Sequence, residues 1–207
     1  MKIKTVIVGL LQTNCYIIED EVSAKCAVID PGGNFDRISE ALEGRMPEYI
    51  ILTHGHFDHL LAAARLQRET GAKVLVHKLD EGMMQEKYVK NSGYFRGNFD
   101  APKADGYLTD GMTIELGQLR LTVLNTPGHS KGSCVIICGD CIFSGDTLFY
   151  ESWGRCDLDG GDDNEMLLSL RRLGMLDGDY TVYPGHGEST KLSHERRYNY
   201  LMRAAIL

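Results

Sequence analysis

Three imidazoles and one carboxylate lie within six positions of this 207-residue sequence, directly after the apolar run 49–52. They belong to His54, His56, Asp58 and His59. Imidazole nitrogen and carboxylate oxygen are ligands that zinc and similar divalent metals take from proteins. In an extended or turning segment His54 and His56 project to the same side and can reach one ion, whereas the other two donors suit a second ion. The segment therefore predicts a site for two neighbouring metal ions.

Two ions need more than four ligands, and three further donors occur downstream. His129 follows Thr-Pro-Gly, Asp146 follows Ser-Gly, and His186 follows Pro-Gly. Each comes after an apolar run, where loops at strand ends place functional side chains. We therefore expect four strand ends to converge on one cleft with seven ligands. The remaining histidines, His77 and His194, are interpreted as structural or surface residues.

The elements that position these donors follow from hydrophobic periodicity. Apolar and β-branched runs predict strands at 3–8, 15–18, 27–29, 49–52, 74–76, 113–116, 119–124, 134–138, 141–143 and 180–183. Helical spacing predicts helices over 34–42 with Asn34 as N-cap, from 58 to about 71, over 164–173 and from about 193. This order suggests two mixed sheets packed face to face with helices outside, in a mixed α/β or α+β domain.

Composition limits the classes of function. The chain is 43% hydrophobic and 25% charged, which predicts a single globular domain over 1–207 that folds without disulfide or metal support. Its net charge of −7, with no run of Lys or Arg, argues against nucleic acid or an anionic membrane as partner. We identify no signal peptide or transmembrane run, and six cysteines are too few for a disulfide scaffold, so a cytoplasmic location is expected.

The segment 81–108 has little periodicity and several glycines, yet it carries methionines and aromatic residues. A long segment of this kind in a compact domain is often functional. Two interpretations stay open: a segment that covers a substrate, or a surface loop packed by its own aromatic side chains.

The ligand motifs resemble those of the metallo-β-lactamase superfamily. The pattern HxHxDH at 54–59 is followed by a TPGH histidine, an SGD aspartate and a PGH histidine, and the match runs from residue 1 to about 186. The sequences VIDPGG at 28–33, LTHGHFDH, TPGHSKGS and SGDTLF are similar to the hydroxyacylglutathione hydrolase (glyoxalase II) branch. The resemblance implies an αββα sandwich of α+β class, which agrees with the predicted element order.

The resemblance also implies which donors share an ion. The first ligand set is His54, His56 and His129, the second ligand set is Asp58, His59 and His186, and Asp146 bridges the two ions. The ions would be two divalent metals, zinc with iron or manganese as alternatives.

The chemistry that follows is hydrolysis of an acyl thioester or ester. Two close divalent ions generate hydroxide near neutral pH and polarise a carbonyl, so no serine or cysteine nucleophile is required. Asp58 is the expected catalytic residue, because it would orient the hydroxide as well as bind the second metal. The leaving group would be a thiolate or an alkoxide.

Substitutions within the motifs narrow the branch. Asp146 stands where the commonest di-zinc β-lactamases carry cysteine, so an antibiotic substrate is not expected. His56 stands where flavo-diiron oxygen reductases carry glutamate, so membership of that branch is not expected. One alternative remains, a persulfide dioxygenase with a single iron on His54, His129 and Asp146. A binding module without turnover is disfavoured because all seven ligand positions are filled.

Arg155 falls where glutathione-using hydrolases place a cation for a substrate carboxylate, and a guanidinium suits that task. The alternative is an ion pair with Asp157 that shapes the loop. The sequence ends about twenty residues after His186, without the helical C-terminal domain of longer glyoxalase II enzymes. The resemblance is therefore closest to short bacterial glyoxalase II-like proteins, and the expected partner is a small-molecule thioester or ester whose thiol is not specified.

Overall fold

The structure, a computed structural model, describes residues 1–93, 95 and 97–206. Tyr94 and Arg96, inside the segment 81–108, and Leu207 lie outside the described residues. The strands are β1 Lys2–Val8, β2 Thr13–Glu19, β3 Cys26–Ile29, β4 Tyr49–Ile51, β5 Lys73–His77, β6 Gly106–Leu108, β7 Thr113–Leu116, β8 Leu119–Asn125, β9 Cys134–Cys138, β10 Cys141–Gly145, β11 Leu148–Phe149, β12 Ser152–Trp153, β13 Thr181–Pro184 and β14 Thr190–Lys191. The helices are α1 Phe35–Leu42, α2 Ala63–Thr70, α3 Glu86–Asn91, α4 Asp163–Gly174, α5 Leu192–Tyr198 and α6 Tyr200–Ile206, with 3₁₀ helices at Phe57–His59 and Lys78–Met84.

Two six-stranded mixed sheets contain most of these strands. The N-terminal sheet has the order β1-β2-β3-β4-β5-β6, antiparallel up to β3 and parallel from β3 to β6. The C-terminal sheet has the order β14-β13-β10-β9-β8-β7 and is antiparallel except between β10 and β13. Strands β11 and β12 form a separate small hairpin.

The two sheets pack face to face with helices on their outer faces. Side chains of both sheets, such as Ile18, Ile29, Val123 and Phe143, form one buried cluster between the sheets. Helices α1 and α2 cover the other face of the N-terminal sheet, and α4 and α6 cover that of the C-terminal sheet. Burial of these apolar faces supplies the main driving force for the layered arrangement. The predicted αββα sandwich is confirmed.

The start of α4 is capped by a side-chain oxygen, whereas the start of α1 is not. The Asp162 carboxylate accepts hydrogen bonds from the Asn164 and Glu165 amides at the start of α4. Asn34 precedes α1 as predicted, but it lies in the left-handed region at φ 46° and makes no side-chain cap. Its Oδ1 instead accepts a hydrogen bond from the Gly9 amide at 2.7 Å. Asn34 is therefore the N-cap residue as predicted, but its backbone carbonyl, and not its side chain, bonds to the first turn of the helix.

Three other predicted elements differ in detail. The helix predicted from 58 begins as a 3₁₀ turn at Phe57–His59 and becomes α-helical only at Ala63. The segment 81–108 contains the end of a 3₁₀ helix, α3 and β6 rather than irregular chain alone. The C-terminal helix is divided at Asn199, which has extended geometry and whose Oδ1 accepts from the Met202 amide at 3.1 Å. Among the described residues, no helix has both the length and the apolar character needed to cross a membrane.

Candidate metal centre

The seven predicted ligands lie at strand ends of both sheets. Four follow β4, and the other three follow β8, β10 and β13. Their side chains are buried or partly buried. Three groups of donors have ligand atoms that all lie within 4.8 Å of one another: His54, His56 and His129; His54, His59 and Asp146; Asp58, His59 and His186.

The first and third of these groups have the same members as the two ligand sets implied by the resemblance. Asp146 lies between them. Its Oδ2 is 3.5 Å from His129 Nε2 in the first set and 3.6 Å from His186 Nε2 in the second, while its Oδ1 is 3.4 Å from His59 Nε2. This is the placement that a bridging carboxylate requires.

Hydrogen bonds fix the tautomers of three of the ligand imidazoles. In each, Nδ1 faces an oxygen that can only accept, so Nδ1 carries a hydrogen and Nε2 is the nitrogen turned toward the site. Metal-binding histidines commonly donate their second nitrogen in this way. The three pairs are His59 Nδ1 to Asp30 Oδ2 at 3.0 Å, His129 Nδ1 to the Arg155 carbonyl at 2.7 Å, and His186 Nδ1 to the Leu11 carbonyl at 3.0 Å.

Several buried polar atoms of the site have no hydrogen-bond partner. Among the described residues they are Nε2 of His54, His56 and His59 and Oδ1 of Asp146. Buried polar groups are normally paired, and each unpaired one costs about 1–3 kcal/mol. All four atoms belong to the predicted ligands, and their imidazole and carboxylate chemistry suits zinc or iron. The residues present therefore fit metal ions.

The electrostatics of the two ligand sets differ. Burial and the neighbouring His129 lower the pKa of His56 to about 3, and burial holds the pKa of His54 well below its usual range. These rings are neutral, which is the form that binds metals. In the second set burial opposes protonation, but Asp58, Asp146 and Asp30 raise the pKa of His59 to about 10. The carboxylates therefore give this side of the cleft a strong attraction for cations.

Asp30, in the VIDPGG motif, supports the loop that follows β4. Its carboxylate accepts hydrogen bonds from the Thr53 amide at 2.8 Å, the Thr53 hydroxyl at 2.6 Å and His59 Nδ1 at 3.0 Å. The same motif packs closely against Asp58, because a Cβ on Gly32 would lie 1.7 Å from the Asp58 carbonyl oxygen. The motif thus sets the position of the second ligand set.

Thr13 and Asn14 are supporting residues that the sequence did not identify. Thr13 Oγ1 lies 3.3 Å from Asp58 Oδ2 and can donate to it. Asn14 Nδ2 donates to the carbonyls of Pro184 at 3.0 Å and Gly187 at 2.9 Å, on either side of His186. The sequence feature that could have identified them is a pair of polar residues at the start of an apolar strand. Both side chains are buried in the structure.

A cavity of about 860 Å³ opens onto the ligands. Tyr88, Asn91 and Ser92, all from the segment 81–108, form part of its wall. Phe95 and Phe99 of the same segment pack against each other, so both interpretations of the segment stay predictions. Apolar and aromatic side chains contribute much of the lining, as in most ligand cavities. The apolar and aromatic lining comprises Leu11, Phe57, Tyr88, Phe149, Trp153 and Leu158.

Arg155 lies at the edge of this cavity. Its Nε and Nη2 donate to the two carboxylate oxygens of Asp157 at 2.6 and 2.7 Å, so the alternative ion pair is present. Binding of a substrate carboxylate by Arg155 stays a prediction.

The two histidines outside the ligand sets have hydrogen-bond partners away from the site. His77 Nδ1 accepts from the Leu79 amide, and His194 Nε2 lies 2.9 Å from Glu151 Oε1.

Residues 8–186 match the metallo-beta-lactamase superfamily, and the chain belongs to that superfamily. The hydroxyacylglutathione hydrolase GloC of Haemophilus influenzae is 30% identical over 210 residues, covering 96% of this chain and 97% of that protein.

Solved structures agree in fold. BLEG-1, described as a B3 metallo-beta-lactamase, superposes with a TM-score of 0.89 at 30% identity, covering 97% of this chain and 99% of that one. TTHA1623 in a di-iron-bound form superposes with a TM-score of 0.83 at 34% identity, covering 95% of this chain and 98% of that one. ETHE1 from Myxococcus xanthus superposes with a TM-score of 0.79 at 26% identity, covering 100% of this chain and 88% of that one. The chain is thus a member of a metallo-hydrolase superfamily with a fitting His/Asp cluster.

Proposed function

We propose that this protein is a dinuclear-metal hydrolase that cleaves acyl thioesters of a small molecule, with esters as related substrates. The observation that carries the proposal is the arrangement of two three-ligand sets on either side of Asp146, at the base of a largely apolar cavity. The likeness to GloC supports a thioester substrate. Zinc is the proposed metal, with iron supported by the di-iron form of TTHA1623.

The roles of the side chains follow from their positions. When bound, two adjacent divalent ions activate a water molecule and polarise the substrate carbonyl. Asp58 Oδ2 lies 3.2 Å from His186 Nε2 and 3.3 Å from Thr13 Oγ1, so its carboxylate is held in one orientation. In the proposal Asp58 accepts a hydrogen bond from the attacking water and orients it. Phe149 and Trp153 hold the acyl portion by apolar contact and limit access of bulk water.

A second candidate is a mononuclear iron persulfide dioxygenase, in which His54, His129 and Asp146 hold the metal. The 3.5 Å separation of His129 Nε2 and Asp146 Oδ2 and the likeness to ETHE1 favour it. This reaction leaves the second ligand set without a role, so the hydrolase uses more of the observed site.

The test combines metal analysis of the purified protein with a panel of acyl thioesters and with glutathione persulfide under oxygen. Two metal ions per chain with thioester cleavage support the proposal. One iron per chain, with oxygen uptake and no hydrolysis, would replace it with the dioxygenase.

Variants sharpen this test. His56→Ala and Asp146→Ala remove a ligand of the first set and the bridging carboxylate, so both should abolish thioester cleavage. His77→Ala is the matched control, because His77 lies outside both ligand sets and should leave the rate unchanged. Full activity in either ligand variant would rule out the proposed chemistry.

A further inference from the structure

Asp80 is a buried carboxylate outside both ligand sets. It lies in the 3₁₀ helix Lys78–Met84 and is 1% exposed. Its Oδ2 accepts hydrogen bonds from the Gly55 amide at 2.9 Å and the Ser130 hydroxyl at 2.6 Å, and its Oδ1 accepts from the Gly132 amide at 2.7 Å. Both oxygens of this one carboxylate therefore bind neighbouring loops.

These loops carry the first ligand set. Gly55 lies between His54 and His56 after β4 of the N-terminal sheet, and Ser130 directly follows His129 after β8 of the C-terminal sheet. One carboxylate thus joins the two segments whose separation determines where three imidazoles meet. The loop that carries His186, the second-set donor in the C-terminal sheet, takes its support from Asn14 instead.

The glycines of both loops show how closely Asp80 is packed. A Cβ on Gly55 would lie 2.7 Å from the Asp80 carbonyl oxygen, and a Cβ on Gly132 would lie 2.6 Å from Asp80 Cγ. Contacts this short do not occur for real side chains, so both loops need glycine in order to reach the carboxylate. The close approach on both sides leaves little room for either loop to shift.

An amide could not replace this carboxylate. Asparagine has one acceptor oxygen, whereas backbone N–H groups approach both oxygens of Asp80. Either orientation of the amide would direct its NH₂ group at a backbone N–H. We infer that Asp80 is a positioning residue that holds the first ligand set in register for the metal; the inference rests on the proposed two-metal site.

The test is metal titration of the metal-free protein against a competing chelator, using Zn²⁺ and Co²⁺. Asp80→Asn should weaken one of two binding events about 10–100-fold, the usual effect of losing a residue that orients metal ligands, and leave the other unchanged. Glu81→Gln is the matched control, because Glu81 lies on the same 3₁₀ helix and pairs with Lys78 and Tyr107 at the surface. It should bind both ions as the wild type does.

Double variants identify the affected site. In a His186→Ala background the remaining ion occupies the first set, and Asp80→Asn should weaken it about 10–100-fold. In a His129→Ala background the remaining ion occupies the second set, and Asp80→Asn should leave its affinity unchanged. Equal losses in both backgrounds, or no loss in either, would overturn the inference.

A milder variant guards against loss of folding. Ser130→Ala removes one of the three hydrogen bonds to Asp80, together with the hydroxyl contact to Ser133, and should give the same asymmetry with a smaller effect. It decides the question if Asp80→Asn does not fold, and symmetric or absent effects in Ser130→Ala would then count against the role of Asp80. A wild-type chain that binds a single ion would overturn the two-metal function separately, since Asp80→Asn should still weaken a site that contains His54 and His129.

Discussion

At the scale of single residues, the ligand imidazoles are oriented by the oxygen atoms that accept hydrogen bonds from them. His59, His129 and His186 each donate Nδ1–H to an oxygen, which leaves Nε2 available to a metal. These hydrogen bonds orient the rings before any metal binds, so little ordering is needed on binding.

The first prediction concerns Asp30, which accepts three hydrogen bonds on two oxygens, including the one from His59. Asp30→Asn should lower metal affinity about 10–100-fold, because the amide cannot accept all three and His59 loses its fixed tautomer. Competition titration with a chromophoric chelator measures the change. Asp36→Asn changes the same residue type at the surface and should have no effect; equal affinities in the two variants would contradict the role given to Asp30.

The sequence predicted the seven donors because their motifs are local, as in the segment 54–59. It did not identify Asp80 or Asn14, because their partners lie far along the chain: Asp80 binds Ser130, and Asn14 binds the Pro184 carbonyl. The meaning of a buried polar residue of this kind depends on which loops the fold brings beside it.

At the scale of elements, the start of β2 holds the loop after β13. Asn14 supplies two side-chain hydrogen bonds and one backbone hydrogen bond to that loop, the last to the Gly185 carbonyl at 2.7 Å. One strand of the N-terminal sheet thus fixes a ligand-bearing loop of the C-terminal sheet.

Asn14→Asp should therefore destabilise the protein. A carboxylate oxygen would face the Pro184 and Gly187 carbonyls in place of an NH₂ group, and the loss of buried hydrogen bonds should lower the free energy of unfolding by about 1–3 kcal/mol. Urea unfolding monitored by circular dichroism provides the measurement. Asn98→Asp, at an exposed position, should unfold like the wild type; an unchanged midpoint for Asn14→Asp would show that the contact does not stabilise the fold.

Gly32 tests the packing of the loop before α1. Gly32→Ala should lower the free energy of unfolding by about 1–3 kcal/mol and weaken metal binding, because its Cβ would overlap the Asp58 carbonyl oxygen. Gly82→Ala is the control, since a Cβ there meets no atom within 4 Å. The comparison requires unfolding curves and metal titrations of both variants. Similar behaviour of the two would mean that the backbone relaxes freely around Gly32.

Long apolar runs predicted the main strands and the helices α1, α2 and α4, because burial of one face imposes a clear period. The two-residue strands β11, β12 and β14 and the 3₁₀ helix at Lys78–Met84 were not predicted. A two-residue strand is too short for a repeating pattern to be recognised, and the 3₁₀ helix makes contacts with distant residues, such as those of Asp80, that no local pattern reveals.

At the scale of the whole molecule, the metal centre connects the two sheets. His54, His56, Asp58 and His59 come from the N-terminal sheet, while the remaining ligands come from the C-terminal sheet. Metal binding should therefore stabilise the sandwich as a whole and not one loop alone.

Metal removal tests this coupling. A ligand that binds only the folded state adds about 2.7 kcal/mol when its free concentration is 100 times the dissociation constant. Dialysis against a chelator should lower the thermal midpoint, and return of zinc should restore it. A His54→Ala/His59→Ala double variant, which lacks a donor from each ligand set, should show no such response; an equal midpoint for the metal-free and metal-loaded wild type would contradict the coupling.

The division of the seven donors between the two sheets also determines when during synthesis the proposed site could become complete. The chain emerges from its N-terminus, so the four donors at 54–59 are exposed before Asp146 and His186 have been made. A metal ion captured at that stage would be held by local donors alone, in a chain whose C-terminal sheet does not yet exist. We therefore expect the complete set of seven donors to be available to a metal only after the C-terminal sheet has formed.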